Sequence, residues 1–198
     1  IYKLSMDTAR RNAEGISPVL PVLQEIENVN EKAQWSEVLG KAMDFGLWAM
    51  YVDADAMNSS MNILNEYQAG FALSQKDYYV DNDEHTKHIR AEYVKHVEKM
   101  FTLFGIDNAA EKAQIVLRLE TRLANAALSN VELRDPVANY NKMSVEELQK
   151  LVPEVNWEVY FAGMNIAPDS LSVGQVRHLQ EAGKMLVEES LEDMKTLF

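Results

Sequence analysis

The stretch Leu119-Glu-Thr-Arg-Leu-Ala-Asn-Ala-Ala-Leu-Ser-Asn-Val-Glu-Leu-Arg-Asp-Pro-Val-Ala-Asn-Tyr-Asn-Lys-Met143 contains the sharpest change of pattern in this chain. It begins with the alanine-rich pattern of a closely packed helix and breaks at Arg134-Asp135-Pro136. Pro136 lacks a backbone N–H and biases the residue before it away from helical angles. The charged pair before the break favours a buried or half-buried joint between two helices. The spacing of residues around the break, taken alone, is equally typical of a helix-loop-helix on the protein surface.

Glu120 lies beside a stripe of small side chains on the helix that precedes this corner. That stripe consists of Ala110, Ala113, Leu117, Ala124 and Ala127. A carboxylate next to a packed face needs a partner, because an unpaired buried charge is strongly destabilising. We therefore predict an ion pair between Glu120 and Arg134 across the corner, and the sequence alone predicts that an alanine at Arg134 lowers the melting temperature clearly.

The composition is that of an ordinary globular protein. The 198 residues are 47% hydrophobic and 25% charged, and the net charge is -12. An acidic excess of this size repels a phosphate backbone, so nucleic acid is not an expected partner. No apolar run is long enough to cross a bilayer, which predicts no membrane contact from this segment. Cysteine is absent, which excludes disulfides and thiolate metal ligands.

Most of the chain has helical periodicity or helix-capping signals. Ser17 with Pro18, Ser144, Asn156 and Ser190 are predicted to begin helices, as is Asp107. The clearest amphipathic helix begins at residue 83 or 84 and ends at 104. The predicted helices cover residues 3–14, 18 onward, 31–46, 84–104, 108–128, 145–151, 157 onward, 174–187 and 191–198.

Residues 47–73 are ambiguous. Two short apolar runs flank a polar turn at residues 53–60, which is typical of a β-hairpin. Alanine and methionine in the first run and glutamate in the second also allow helix. Residues 164–173 lack a clear period and are predicted to be a connector, partly extended.

The residues that could carry chemistry do not form a recognisable catalytic set. The four histidines are His85, His88, His96 and His178. The four-residue spacing of His88, Glu92 and His96 on one helix could chelate a divalent ion, but exposed surface residues are the simpler interpretation. The motifs H-E-x-x-H, G-x-S-x-G and G-x-G-x-x-G are absent. We therefore predict that this chain holds no catalytic, cofactor-binding or metal-binding residues.

Several motifs, in this order, resemble the non-catalytic N-terminal helical region of the neprilysin-like zinc metallopeptidases, a family that includes neprilysin, endothelin-converting enzyme and bacterial oligopeptidase O. They are Leu119-Glu120, Leu123-Ala124, Arg134-Asp135-Pro136, Tyr140-Asn141-Lys142-Met143 and Trp157. Val52 to Asn58 and Phe71 to Tyr79 also match, with Met57 where a lysine is commoner and Ser74 where the family has proline. The resemblance favours strands over helix in residues 47–73.

The resemblance implies a mainly α fold, a multi-helix lobe with a short β-hairpin near residues 47–73. Residues 1–198 would be a single helical lobe, part of the capping domain of a larger bacterial metallopeptidase. Its partners would be the catalytic lobe of the same polypeptide, which holds the zinc, and peptide substrates. This lobe would enclose the active-site cavity and admit short peptides, which the whole enzyme cleaves at internal bonds. The loop 74–79 and the corner 134–141 would support the cavity wall.

The resemblance also bears on how the chain is processed and where it is located. The first residues have no signal-peptide pattern and no initiator methionine, so we expect an excised segment. Relatives imply a periplasmic, cell-surface or secreted parent, with cytoplasmic bacterial exceptions. Two alternatives remain: a stand-alone acidic helical binding or scaffold module, and a metal-dependent enzyme built on His88, Glu92 and His96.

Overall fold

The computed structural model describes residues 2–42 and 46–198 and shows a mainly α fold with one small sheet, as the sequence predicts. The α-helices are α1 Tyr2–Ser5, α2 Thr8–Glu14, α3 Leu20–Glu27, α4 Trp35–Lys41, α5 Asp77–Val80, α6 Glu84–Leu103, α7 Ala109–Ala126, α8 Val145–Leu151, α9 Trp157–Gly163, α10 Val176–Glu188 and α11 Leu191–Leu197. The strands are β1 Trp48–Asp55, β2 Asn58–Gln68, β3 Asn141–Ser144 and β4 Ser170–Val173. Short 3-10 helices cover Lys32–Gln34 and Glu132–Arg134.

The hairpin predicted within residues 47–73 is confirmed. β1 pairs antiparallel with β2, from Trp48 opposite Gln68 to Ala54 opposite Asn62. The larger sheet was not predicted: β4 joins β2 in parallel and β3 joins β4, in the order β1-β2-β4-β3. β3 and β4 have four residues each, which is too short for an alternating pattern to be recognised.

Helix starts were predicted correctly where the capping side chain bonds to a backbone N–H only three residues later in the sequence. Ser144, Asn156 and Ser190 each accept a backbone N–H from the first turn that follows. The predicted start at Ser17 and Pro18 is wrong, because α3 begins at Leu20. Pro21, not Pro18, occupies the first turn, and a turn precedes it.

Two other helix boundaries also differ from the prediction. The cap of α7 is Asn108, in a left-handed conformation with φ 56°, instead of Asp107. The helix predicted over residues 3–14 is divided into α1 and α2, because the Asp7 side chain caps Arg10 N. The third helix was predicted to end at residue 46, but α4 ends at Lys41, and residues 43–45 lie outside the described residues.

The core lies between the inner face of the sheet and α4, α7, α9 and α10. Trp48 of β1 packs against Trp157 and Tyr160 of α9, with ring centroids 5.4 and 5.5 Å apart, and its indole N–H donates to the Tyr160 hydroxyl at 3.0 Å. Trp35 is fully buried, and its ring centroid lies 4.8 Å from that of Phe198.

Two glycines allow the backbones of α4 and α9 to touch. A Cβ added to Gly40 would lie 2.2 Å from the Tyr160 carbonyl oxygen, and one added to Gly163 would lie 2.9 Å from the carbonyl carbon of Gly40. Contact this close fixes the position of α9, and through Tyr160 the position of β1.

Within the described parts of the chain, no helix combines the length and apolar character needed to cross a membrane.

Candidate functional site: a recess beside the hairpin

A recess of about 400 Å³ opens beside the hairpin. Its walls come from β1, α4, α9, the turn after β2 and the last residues of the chain. The side chains that shape it include Trp48, Met50, Phe71, Glu120, Met164 and Phe198. Its surface is polar and apolar in about equal parts, and one buried carboxyl group, that of Glu120, belongs to its lining.

The turn after β2 is fitted tightly against the rest of this wall. Gly70 has φ +84°, and a Cβ at this position would lie 2.8 Å from Leu47 Cα and 2.9 Å from Leu123 Cδ1. A residue with a side chain would be strained both by its backbone angle and by these contacts. The turn therefore holds the loop 71–79 in a single path over α7.

Glu120 anchors that loop. Its Oε2 accepts a hydrogen bond from the Tyr79 hydroxyl at 2.9 Å, and its Oε1 accepts one from Ala72 N at 3.1 Å. Tyr93 of α6 also bonds to this carboxyl group. Burial raises the pKa of Glu120, although these hydrogen bonds oppose the rise. Tyr79 is itself buried, so the loop is anchored to α7 through a side chain that lies in the interior.

The predicted ion pair between Glu120 and Arg134 is wrong. Arg134 lies in an exposed 3-10 turn, while Glu120 is 5% exposed and its hydrogen bonds come from two tyrosines and a backbone N–H. The corner Arg134-Asp135-Pro136 is exposed throughout. Tyrosine hydroxyls from α6 and from the loop satisfy the acid, and nothing in the local pattern around Arg134 could indicate this.

The structure therefore reverses the expectation for Arg134. We expect Arg134→Ala to change the free energy of unfolding of this chain by less than about 0.5 kcal/mol, the usual range for an exposed site. Chemical denaturation of the two proteins measures this. A loss above about 2 kcal/mol would mean that Arg134 has a structural partner after all.

A second cluster joins two sequence motifs that lie far apart in the chain. Asp55, at the end of β1, is 2% exposed. Its Oδ2 accepts a hydrogen bond from Lys142 Nζ at 2.8 Å, and its Oδ1 accepts from the Tyr140 hydroxyl at 2.7 Å and from Met57 N at 2.9 Å. The bonds from Lys142 and then Tyr140 lower the pKa of Asp55 to about 2. The segment after the corner thus fastens the end of the hairpin.

The C-terminus of α7 is held by cations from two directions. Lys76 Nζ donates to the Ala127 carbonyl at 2.8 Å, and Arg177 donates to the carbonyls of Ala126 and Ala127 at 2.8 and 2.9 Å. Positive charge is favourable at this end of a helix, where carbonyl groups lack intrahelical partners. Lys76 thereby adds a second anchor for the loop 71–79.

Two buried ionisable groups face the interior and were not recognised from the sequence. Glu66 of β2 is 1% exposed, and its Oε2 accepts from Gln175 N at 3.2 Å, while its Oε1 has no partner among the described residues. Burial raises the pKa of Glu66 to about 8. His178 is fully buried with Nε2 2.9 Å from the Ala69 carbonyl, and burial lowers its pKa to about 4.

The other candidate ligands are not assembled into a site. His85, His88 and His96 lie on the exposed side of α6, and Glu92 pairs with Lys95 at 2.7 Å. Across residues 2–42 and 46–198, no group of three or more metal-ligating side chains is close enough to hold an ion.

Comparison with known proteins finds several to which this chain is similar. The fold matches zinc metalloprotease ZMP1 of Mycobacterium tuberculosis, solved with an inhibitor, with a TM-score of 0.90 and 25% identity over 97% of this chain. Endothelin-converting enzyme-like 1 of Mus musculus is 34% identical over 114 residues, or 57% of this chain. Endothelin-converting enzyme 1 of Cavia porcellus is 27% identical over 168 residues, or 79% of this chain.

A sequence profile described as peptidase family M13, for its N-terminal region, matches residues 1–198. The chain belongs to this family, and the resemblance to the neprilysin-like zinc metallopeptidases is confirmed. The matches cover only part of each relative: 15% of the Mus musculus protein, 22% of the Cavia porcellus protein and 30% of the ZMP1 chain.

Proposed function

We propose that residues 1–198 form a single non-catalytic lobe of a zinc metalloendopeptidase, and that this lobe encloses the active-site cavity and limits it to short peptides. The observation that carries the proposal is the match to ZMP1, which covers 97% of this chain but only 30% of that metalloprotease. In such a protein, the zinc ligands and catalytic residues would lie in the part of the polypeptide outside the matched region.

The distribution of chemistry within the chain supports this division of roles. The sequence has no H-E-x-x-H motif, and the three histidines of α6 are exposed to solvent. A zinc ion bound elsewhere in the polypeptide would lower the pKa of a bound water and so supply the attacking hydroxide. The residues of this chain would act sterically, as a wall that decides which peptides reach that water.

A wall that selects by size must be rigid, and three features make this lobe rigid. The backbones of α4 and α9 are in direct contact at Gly40, and the Asp55 cluster fastens the hairpin. A continuous hydrophobic core extends from Ile26 in α3 to Met194 in α11, which supports the description of residues 1–198 as one lobe. The recess beside β1 is then the concave part of the wall that faces the enclosed space.

The test uses the longer polypeptide that contains residues 1–198. We expect it to cleave a short internally quenched peptide at an internal bond, to lose this activity with a chelator and to regain it with zinc. We expect cleavage of the same sequence within a rigid folded protein to be slower by at least about a hundredfold, because a folded segment must open before it can enter. Mass spectrometry of the products and initial rates measure both results.

A matched pair of substitutions tests the role of the recess. Met50→Trp fills part of the recess, whereas Met57→Trp makes the same change at the hairpin tip, where Met57 is 64% exposed. We expect Met50→Trp to lower kcat/KM for long peptides more than for short ones, and Met57→Trp to leave the ratio unchanged. Peptide hydrolysis by the 198-residue chain alone, or equal rates on folded and unfolded substrates, would contradict the proposal. A stand-alone acidic binding module would show neither hydrolysis nor an effect of the chelator.

A further inference from the structure

The apolar stripe of α3 extends beyond the core that buries its C-terminal half. Val19, Val22, Ile26 and Val29 are spaced three, four and three residues apart, which places them on one helical face. Ile26 and Val29 are 3% and 1% exposed, whereas Val19 and Val22 are 40% and 42% exposed. One continuous stripe is therefore covered at one end and uncovered at the other.

Residues 2–25, which we call the N-terminal arm, comprise α1, α2 and the first part of α3, and their described side chains are exposed except that of Leu23, which is half-buried. The helix α2 has seven residues and no buried side chain. A helix this short is not stable in water without tertiary packing. The Arg10–Glu14 pair on α2 is largely exposed and adds little. Further apolar side chains of the arm are also exposed: Met6, Ile16 and Leu20.

We propose that the N-terminal arm docks, through Val19 and Val22, on the part of the same polypeptide that lies outside residues 1–198, and thereby ties this lobe to the zinc-bearing lobe. The inference rests on the proposed function only in treating the chain as one lobe of a longer polypeptide. About 70% of the matched ZMP1 chain lies outside the matched region, since the match covers 30% of it. An apolar surface there is the chemical complement of the uncovered stripe.

Limited proteolysis reports whether the arm is docked. Trypsin cuts after Arg10 and Arg11, which are exposed on α2. We expect this cleavage to be at least about tenfold slower in the longer polypeptide than in the 198-residue chain, because docking must be undone before the protease can bind. Mass spectrometry of the time course identifies the cleaved bond.

Two substitutions in the arm test the surface itself. Val19→Asp with Val22→Glu places acidic residues at the cap and first turn of α3, where they favour the helix and disfavour only an apolar contact. We expect this pair to restore fast cleavage after Arg10 and Arg11 in the longer polypeptide. The same changes at Val131 and Val137, which are 75% and 70% exposed, are the matched control and should leave the bond protected.

Several outcomes would overturn the proposal. Equal cleavage rates in the two polypeptides would show that the arm does not dock, and no effect of Val19→Asp with Val22→Glu would show that it docks elsewhere. Protection of the 198-residue chain only at concentrations where it dimerises would assign the surface to a second copy. Neither measurement depends on hydrolysis of peptides, so protection without peptidase activity would support the docked arm while contradicting the proposed function. The melting temperature of the variant 198-residue chain should stay near that of the wild type, which excludes unfolding as the cause.

Discussion

Replacing Glu66 with glutamine should make the protein markedly more stable at alkaline pH, and this difference should disappear in acid. The carboxyl group is buried in the inner face of the sheet, and its pKa rises from 4.5 to about 8 because of that burial. Below pH 4.5 the group is neutral in both the folded and the unfolded chain. As the pH rises toward 8, the unfolded chain releases the proton and the folded chain retains it, so stability falls.

The size of the effect follows from the size of the pKa shift. A shift from 4.5 to about 8 corresponds to a few kcal/mol of lost stability once the pH exceeds 8. Glutamine keeps the shape and carries no charge, so we expect Glu66→Gln to melt roughly 5 to 10 °C above the wild type at such a pH. Thermal denaturation across the pH range from acid to pH 9 measures the difference between the two proteins.

Glu158→Gln is the matched control for this experiment. Glu158 is exposed in the first turn of α9, so its replacement should leave the pH dependence of melting unchanged. If the melting temperatures of Glu66→Gln and the wild type differed by the same amount at every pH, the result would show that burial does not keep the Glu66 carboxyl group neutral. A polar group from elsewhere in the longer polypeptide would then have to reach Oε1.

Replacing Gly40 with alanine should destabilise the protein by at least about 3 kcal/mol, at the upper end of what overpacking produces. The added methyl group would lie 2.2 Å from the Tyr160 carbonyl oxygen, a backbone atom that cannot rotate away. The helices α4 and α9 would have to separate, which also disturbs the contact of Tyr160 with Trp48. We expect the melting temperature to fall by roughly 10 °C.

Gly105→Ala separates this packing effect from the general effect of a glycine replacement. Gly105 has φ +72° and no atom within 4 Å of an added Cβ, so alanine there is strained by about 1 kcal/mol but meets nothing. Similar melting temperatures for the two variants would contradict the close contact of α4 and α9. Intrinsic tryptophan fluorescence should change in Gly40→Ala only, because Trp48 and Trp157 pack on α9.

Much of the secondary structure could be predicted from local pattern. The helix α6 combines apolar periodicity with an acidic cap at Asp83, and the capping box at Ser144 and Glu147 requires only four consecutive residues. Prediction failed where two local signals compete. Pro18 and Pro21 both suit a first helical turn, and in the structure it is Pro21 that occupies it.

The interactions that shape the candidate site could not be predicted in the same way. Glu120 was expected to need a partner, and it has several, but they come from Tyr79 and Tyr93 on other elements. Asp55 and Lys142 are 87 residues apart, and neither residue's neighbours indicate the other. The position of an acidic residue beside an apolar helix face shows that its carboxyl group needs a hydrogen-bond donor. It does not show which residue will supply that donor in the folded chain.

The sequence by itself determined the class of this protein: a mainly helical fold with one hairpin, no cysteine, no H-E-x-x-H motif, and the ordered motifs that identify peptidase family M13. These properties depend only on residue order and local periodicity, and both can be read directly from the sequence. Only the tertiary structure decided that β3 and β4 extend the hairpin into a sheet, that Oε1 of the buried Glu66 has no partner in the part of the chain that the structure describes, and that half of the α3 stripe is left uncovered. Those features arise from which surfaces meet, and contacts between distant segments are set by the packing of the whole chain.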